Sequence, residues 1–179
     1  MTRTFYPPPS TKRMLTVDPE FPDAEETVET FGAVEVIRQG RRTQLNINGV
    51  PEAGDHPDGL RRYRYHDDLL RAAKGRVLLS GAGIYYDANR MASKVNQIHV
   101  IENNPDVIRA TASMAPANSM TIVSDFDDWV MRRPVTVTYD VVGLDHQSLG
   151  FTRDDQERYR ALLSDWMNPG AVLLFWMGE

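Results

Sequence analysis

Five short, largely apolar stretches, separated by segments with helical periodicity, constrain the fold of this chain more than any other feature. These stretches are residues 76–80, 97–102, 120–124, 135–144 and 171–177. Strands that are apolar on both sides are typical of a parallel sheet covered by helices on both faces. Because crossovers between parallel strands are right-handed, the pattern predicts an α/β fold with a doubly wound, mostly parallel, Rossmann-like sheet.

The segments between these strands predict helices with recognisable ends. The predicted helices are residues 60–73, 87–93, 104–113, 126–131 and 152–167. Asn104 precedes Pro105, a pair that suits the cap and first turn of a helix. Thr152 and Asp155 have the spacing of a capping box, and the Asn-Pro-Gly sequence that begins at Asn168 is expected to end the last helix.

The N-terminal part of the chain has a different pattern. Residues 1–30 are rich in proline, which predicts an extended arm that is either a disordered tail or docks on a neighbouring subunit. Two β-rich runs around Gln39 and Gly40 predict a β-hairpin, followed by a loop over residues 51–59. We therefore expect an arm (1–30), a hairpin with its loop (31–58) and a Rossmann-like nucleoside-binding domain (59–179), with homo-oligomers formed through the arm and the hairpin.

Composition excludes several classes of function. The chain has no cysteine, so disulfides, thiolate metal sites and cysteine nucleophiles are excluded. Its net charge of −5 offers no broad positive field for nucleic acid or an anionic membrane. No apolar run reaches the length of a membrane span or a signal peptide, so we expect a cytoplasmic protein that acts on a small-molecule substrate.

Glycines or an acid follow each of the first four predicted strands, where open parallel sheets bind their ligands. These residues are Gly81 and Gly83, Glu102, Asp125 and Asp145. Taken singly, a glycine turn or an acid at a strand end is most often a turn or a helix cap. Together they predict a nucleoside pocket, in which Glu102 binds ribose hydroxyls, Asp125 an adenine amino group, and Asp145 acts as a base or holds a cation.

We predict no metal site, because the histidines lack the spacing of metal ligands. A group of His66, Asp145 and His146 would form a metal or acid–base site only if the fold brought them together. Ser80 precedes a glycine but lacks the other residues of a nucleophile elbow.

Several motifs, in order from residue 31 onwards, resemble those of spermidine synthases, within the superfamily of class I S-adenosylmethionine-dependent methyltransferases. The matching segments are residues 48–52 (Asn-Gly-Val-Pro-Glu), 65–69 (Tyr-His-Asp-Asp-Leu), 77–83, 100–105, 123–125 and 139–145. The resemblance implies that S-adenosylmethionine or its decarboxylated form is the cofactor. It also implies that Glu52 joins the cofactor-binding residues named above, and that Tyr65 and His66 act with Asp145 in catalysis.

The chain departs from that family at positions that matter for function. Ile84, Tyr85 and Tyr86 stand where the synthases have Asp-Gly-Gly, and Ser148 stands where they have a second catalytic aspartate. Asp67 and Asp87 are the acids that could replace the missing loop carboxylate, and the expected terminal strand pair is absent. We therefore expect a methyltransferase-like, S-adenosylmethionine-binding transferase. The alternatives are an aminopropyltransferase and a non-catalytic module that retains the fold.

Overall fold

The computed structural model describes residues 24–54, 64–132, 134–146 and 150–177. Within these ranges the strands are β1 (Glu26–Phe31), β2 (Val34–Gln39), β3 (Arg42–Ile47), β4 (Val50–Gly54), β5 (Arg76–Ser80), β6 (Gln97–Glu102), β7 (Ser119–Val123), β8 (Tyr139–Leu144) and β9 (Met167–Phe175). The helices are α1 (Arg64–Ala72), α2 (Tyr86–Met91), α3 (Pro105–Thr111), α4 (Phe126–Arg132) and α5 (Arg153–Leu162). The proline-rich part of the predicted arm, the predicted loop beyond Gly54, the start of the first predicted helix, and Ser148 lie outside the described residues.

Five parallel strands form the sheet that the sequence predicts. Their order is β7-β6-β5-β8-β9, and every neighbouring pair runs parallel. Ser80, at the end of β5, lies beside Ile101 on one side and Leu144 on the other. The strand order reverses at β5, because β6 follows it on one side and β8 lies on the other. The predicted doubly wound α/β fold is confirmed, and the carboxyl ends of β5 and β8 border the crevice where such folds bind ligands.

The predicted hairpin is confirmed as β2 and β3, but it is the centre of a four-stranded antiparallel sheet. β1 pairs with β2 and lies mostly within the residues predicted to form the arm. Most side chains of β1 are exposed, so its sequence does not alternate between apolar and polar residues. Backbone hydrogen bonds to β2 hold this strand in the sheet. β4 adds on the other side, within residues assigned to a loop. Pro51 misleads sequence analysis there, since proline is tolerated in an edge strand.

Two apolar clusters lie on opposite faces of the parallel sheet. One combines the inner residues of β2 and β3 with α1, α2, α3 and one face of the parallel sheet. The other lies under α4 and α5 on the opposite face. α3 also packs directly against β1 and β2, so the antiparallel sheet lies beside the helix layer that borders the cleft. No helix within the described ranges is long and apolar enough to cross a membrane.

The last helix differs from its prediction at one end. The capping box of Thr152 and Asp155 is present, which confirms where α5 begins. The helix ends at Leu162 rather than at residue 167, a 3₁₀ turn follows, and Met167 already pairs with Tyr139 in the sheet. Leu163 and Trp166 are buried at helical spacing, so the apolar pattern continues beyond the helix.

Candidate functional site

The glycine loop runs directly from the end of β5. Gly81 and Gly83 both have positive φ, 85° and 47°, which favours glycine. A Cβ atom on Gly81 would lie 3.4 Å from the backbone oxygen of Asp145, and one on Gly83 would lie 3.3 Å from the Cβ of Ala53. The loop therefore passes between the end of β8 and the edge strand β4.

Glu102 fixes this loop from the end of β6. Its side chain is 8% exposed, and its two oxygens accept hydrogen bonds from the backbone N–H of Ala82 at 2.9 Å and of Asn104 at 2.8 Å. Asn104 in turn caps α3 by accepting from the N–H of Asp106 at 2.9 Å. A single carboxylate thus joins the glycine loop, the end of β6 and the start of α3.

The bulky residues that follow the glycines are accommodated by the core. Ile84 and Tyr85 are 6% and 2% exposed and belong to the cluster beneath α2 and α3. Tyr85 has a left-handed backbone, with φ of 56°, and its hydroxyl lies 2.5 Å from Oγ1 of Thr121. Both side chains therefore add packing to the core.

A polar cluster lies at the other side of the loop and contains the three predicted catalytic residues. Nδ1 of His66 lies 2.8 Å from Oδ2 of Asp87. The Tyr65 hydroxyl lies against Gly143, two residues before Asp145, where a Cβ atom would approach it to 2.8 Å. The N–H of Asp145 donates to Oγ of Ser80 at 2.8 Å. The fold thus brings Tyr65, His66 and Asp145 to one place.

The electrostatics of this cluster set the protonation of Asp145. Desolvation by the surrounding protein raises the pKa of Asp145 to about 7. The negative charge of Asp87 also raises this pKa, whereas His66 lowers it. The side chain is nevertheless open to solvent, as is usual for a group on the wall of a cleft. Burial lowers the pKa of His66, but the hydrogen bond and charge of Asp87 outweigh that effect and the net shift is upward.

Tyr65 has a different character from its neighbours. Burial and the charges of Asp145 and Asp87 raise its pKa well above 10, so its hydroxyl keeps its proton at neutral pH. It can therefore orient a ligand or Asp145 by hydrogen bonding, whereas Asp145 changes its protonation near pH 7. A group with a pKa near the working pH is suited to proton transfer.

The two remaining predicted binding residues lie at the margins. Asp125 is exposed, and its Oδ1 accepts from the N–H of Asp128 at 3.1 Å, as a helix cap does. Glu52 is skipped in the pairing of β3 with β4, since Leu45 opposes Ala53 and Asn46 opposes Pro51. Such a bulge redirects a side chain, and burial raises the pKa of the Glu52 carboxyl.

Two further residues belong to the site. The sequence suggests Ser80 only as a nucleophile, but its hydroxyl accepts a hydrogen bond from the backbone N–H of Asp145. Its position at a strand end, just before a glycine, is the sequence feature that indicates a place in the site. Of the two acids considered as replacements, Asp87 lies in the cluster and Asp67 pairs instead with Arg90 at 3.4 Å. His146 belongs to a separate network, and the described residues contain no group of three or more metal-ligating side chains.

The raised pKa of Asp145 predicts how stability depends on pH. The folded protein holds this proton more tightly than the unfolded chain, so the stabilisation is complete below pH 3.8 and is lost as the pH rises to about 7. We expect Asp145→Asn to gain thermal stability relative to wild type across that interval. Melting temperatures at successive pH values test this, with the exposed Asp154→Asn as control; parallel curves for wild type and Asp145→Asn would contradict it.

Comparisons with known proteins place the fold. No model of a protein family matches the chain, and no curated protein sequence does. Among solved structures, spermidine synthase from Thermotoga maritima aligns with a TM-score of 0.56 and 13% identity, over 79% of this chain and 53% of that one. A spermidine synthase in complex with the transition state analogue AdoDATO gives 0.51 and 11%, over 80% and 52%.

The complex of DhpI with SAH aligns with a TM-score of 0.52 and 17% identity, over 65% of this chain and 55% of that one. This chain therefore spans about half the length of the structures it resembles. The chain has a Rossmann-like α/β fold similar to that of these spermidine synthases and of DhpI.

Proposed function

We propose that this protein binds S-adenosylmethionine and transfers its methyl group to a small-molecule acceptor. The observation that carries the proposal is the carboxylate of Glu102, fixed at the end of β6 by the N–H of Ala82 in the glycine loop. Asp145 lies on the other side of the same loop, at the strand-order switch. The solved complex of DhpI contains SAH, and one of the aligned spermidine synthases contains a transition state analogue, which supports a ligand of this class.

The residues of the site suit the parts of such a ligand. Each Glu102 oxygen uses one acceptor position for a backbone N–H, and the remaining positions can accept from the two hydroxyls of a ribose. Asp125 lies at the end of the neighbouring strand, where its second oxygen can accept from an adenine amino group. The absence of side chains at Gly81 and Gly83 lets the backbone approach the ligand closely.

The bound S-adenosylmethionine would supply an electrophilic methyl group on a sulfonium. The chain itself has to orient the acceptor in line with that methyl and to receive the acceptor's proton. Asp145 is suited to receiving a proton because its pKa lies near neutrality. Tyr65 and the His66–Asp87 pair border Asp145 and hold its surroundings in place. We assign Glu52 to the same site because its neighbour Ala53 lies beside Gly83 of the loop.

Calorimetric titration with S-adenosylmethionine, S-adenosylhomocysteine and methylthioadenosine tests the proposal. We expect saturable binding of all three, because each carries the ribose and adenine that Glu102 and Asp125 would recognise. The variant Asp154→Asn, altered on the exposed side of α5, should bind equally well. Absence of binding by the folded protein would refute the proposal and favour a non-catalytic module.

A second candidate reaction, aminopropyl transfer, is favoured by one observation. Asp87 supplies an acid beside Asp145, close to where the family's loop carboxylate is missing. However, Asp87 is already paired with His66 at 2.8 Å, so its charge is offset within the protein. Holding a polyamine requires uncompensated carboxylates that offset the desolvation of its ammonium groups.

We therefore expect no spermidine synthesis. Purified protein incubated with putrescine and decarboxylated S-adenosylmethionine should release no methylthioadenosine above the level without protein, as followed by chromatography. Asp87→Asn and His66→Gln should not create the activity. Turnover near the ordinary enzyme range of about 1 per second would restore the aminopropyltransferase.

A further inference from the structure

A second hydrogen-bonded network of side chains begins at His146, directly after Asp145. Nε2 of His146 lies 3.0 Å from the hydroxyl of Tyr159, which is 1% exposed. The Tyr159 hydroxyl donates to one carboxylate oxygen of Asp127, and Arg158 donates to the other. This network therefore runs from the end of β8 through α5 to α4, and none of its residues has a role in the proposed site.

The position of the His146 ring places it at the cleft. The ring stacks on Phe126 with a centroid separation of 5.1 Å and an interplanar angle of 27°. Phe126 opens α4 directly after Asp125 at the end of β7, whereas His146 follows β8. The stacked rings therefore lie at the carboxyl edge of the parallel sheet, on the side of α4 and α5. His146 also keeps an exposed edge.

The hydrogen bonds define which nitrogen of His146 carries the proton. The single hydroxyl proton of Tyr159 is donated to Asp127, whose pKa is lowered by its bonds to Tyr159 and Arg158 against the opposing effect of burial. The Tyr159 oxygen can then only accept from the imidazole, so Nε2 carries the hydrogen. Nδ1 is left as an acceptor, with no partner among the described residues.

Burial keeps the ring of His146 neutral, because it lowers the pKa of the imidazole more than the nearby carboxylates raise it. Burial against the packed rings lowers its pKa, and Arg158 from α5 acts in the same direction. Asp127 from α4 and Asp125 from the end of β7 oppose this, and the net shift is downward. Within the described part of the chain, the neighbouring Asp145 and Tyr159 are the other titratable groups beside it. A neutral imidazole with an open nitrogen at a cleft is a proton acceptor.

We propose that His146 is a second base of this cleft, in addition to Asp145, and that its Nδ1 accepts the proton of a nitrogen or oxygen nucleophile as that atom is methylated. The inference rests on the proposed function. In the step, the nucleophile's N–H or O–H bond breaks toward Nδ1 and its electron pair forms the bond to the methyl carbon. The carbon–sulfur bond breaks and its electrons stay on sulfur as a neutral thioether. The imidazolium later returns its proton to water.

The other side chains of this hydrogen-bonded network, Tyr159, Asp127 and Arg158, position and stabilise His146. Once the ring is protonated, its Nε2–H still donates to Tyr159, and the Asp127 carboxylate at the other end of the network offsets the new positive charge. The acceptor expected from this arrangement is an amine in its neutral form, an alcohol or a phenol, since each carries a proton to give up. Tyr159 and Asp127 are positioning residues here.

Carbethoxylation by diethyl pyrocarbonate, which attacks neutral imidazole nitrogens, tests the proposal without knowledge of the acceptor. The peptide that carries His146 is followed by mass spectrometry across pH 6 to about 8, around the ordinary imidazole pKa of about 6.5. We expect rapid modification with a midpoint below that value. S-adenosylhomocysteine at 100 times its dissociation constant should slow the modification about 100-fold.

A second measurement concerns the tautomer. Long-range proton–nitrogen spectra of the labelled protein, with His146→Gln for assignment, should show hydrogen on Nε2, and Tyr159→Phe should weaken that preference while the fold is retained. If the phenylalanine variant does not fold, Asp127→Asn replaces it. Binding of S-adenosylhomocysteine without protection of His146, or hydrogen on Nδ1, would overturn the role of His146 alone. Absence of binding would refute the proposed function, and the role of His146 with it.

Discussion

Glu102→Ala is expected to weaken S-adenosylhomocysteine binding by about 1–3 kcal/mol, or about 5- to 150-fold in dissociation constant. The variant removes the proposed ribose contact, and it also frees the glycine loop from β6. The N–H groups of Ala82 and Asn104 lose their acceptor, the carboxylate of Glu102, a residue that is only 8% exposed. Stability should fall as well, because unpaired buried donors are costly.

The two effects of this variant are separated by measuring binding well below the melting temperature of each protein. Glu102→Gln is the matched variant, since it keeps the side-chain volume and one acceptor oxygen but turns an N–H₂ group toward a backbone donor. It should therefore lie between wild type and Glu102→Ala in both affinity and melting temperature. Equal affinity of all three folded proteins would remove Glu102 from the site.

Gly143→Ala is expected to destabilise the fold by about 1–3 kcal/mol, the usual effect of overpacking a core. The new methyl group would lie 2.8 Å from the Tyr65 hydroxyl, 3.0 Å from Cδ1 of Leu69 and 3.1 Å from Cδ2 of Leu79. For a chain of this size the melting temperature should fall by about 2–4 °C per kcal/mol. Because Tyr65 borders Asp145, any binding that depends on that cluster should weaken too.

A double-mutant cycle tests the cause of this effect. Tyr65→Phe removes the atom that the new methyl group approaches most closely, so the combination with Gly143→Ala should recover part of the lost stability. A coupling energy within about 0.5–3 kcal/mol is typical of residues in contact. Strict additivity of the two changes would show that the Tyr65 hydroxyl is not what Gly143 has to accommodate.

Long apolar elements could be predicted from the sequence, whereas short polar ones could not. β6 matches its predicted range of residues 97–102, because six residues between polar boundaries leave no ambiguity. β1 was missed because most of its side chains are exposed, so its stability comes from pairing with a distant strand. α5 was predicted too long because Leu163 and Trp166 continue its apolar spacing after the helix has ended.

The candidate site shows the same division. Residues at strand ends could be placed from strand prediction alone, because the carboxyl ends of parallel strands share an edge. The pairing of His66 with Asp87 could not, since 21 residues separate them and their contact depends on how α1 and α2 pack. The orientation of the Tyr85 side chain could not be predicted either, because it depends on a left-handed backbone conformation at that residue.

The apolar cluster shared by the two sheets has a consequence for how the chain can be divided. Val34, Val36 and Leu45 are buried in the same cluster as Val100 and Val107. A fragment that began at α1 would retain the parallel sheet and the acids at its strand ends. It would also expose the valines beneath α3 to water and lose the support that β4 gives to Gly83. The antiparallel sheet is therefore part of the smallest unit that folds cooperatively, although every acid proposed to bind the nucleoside lies outside it except Glu52.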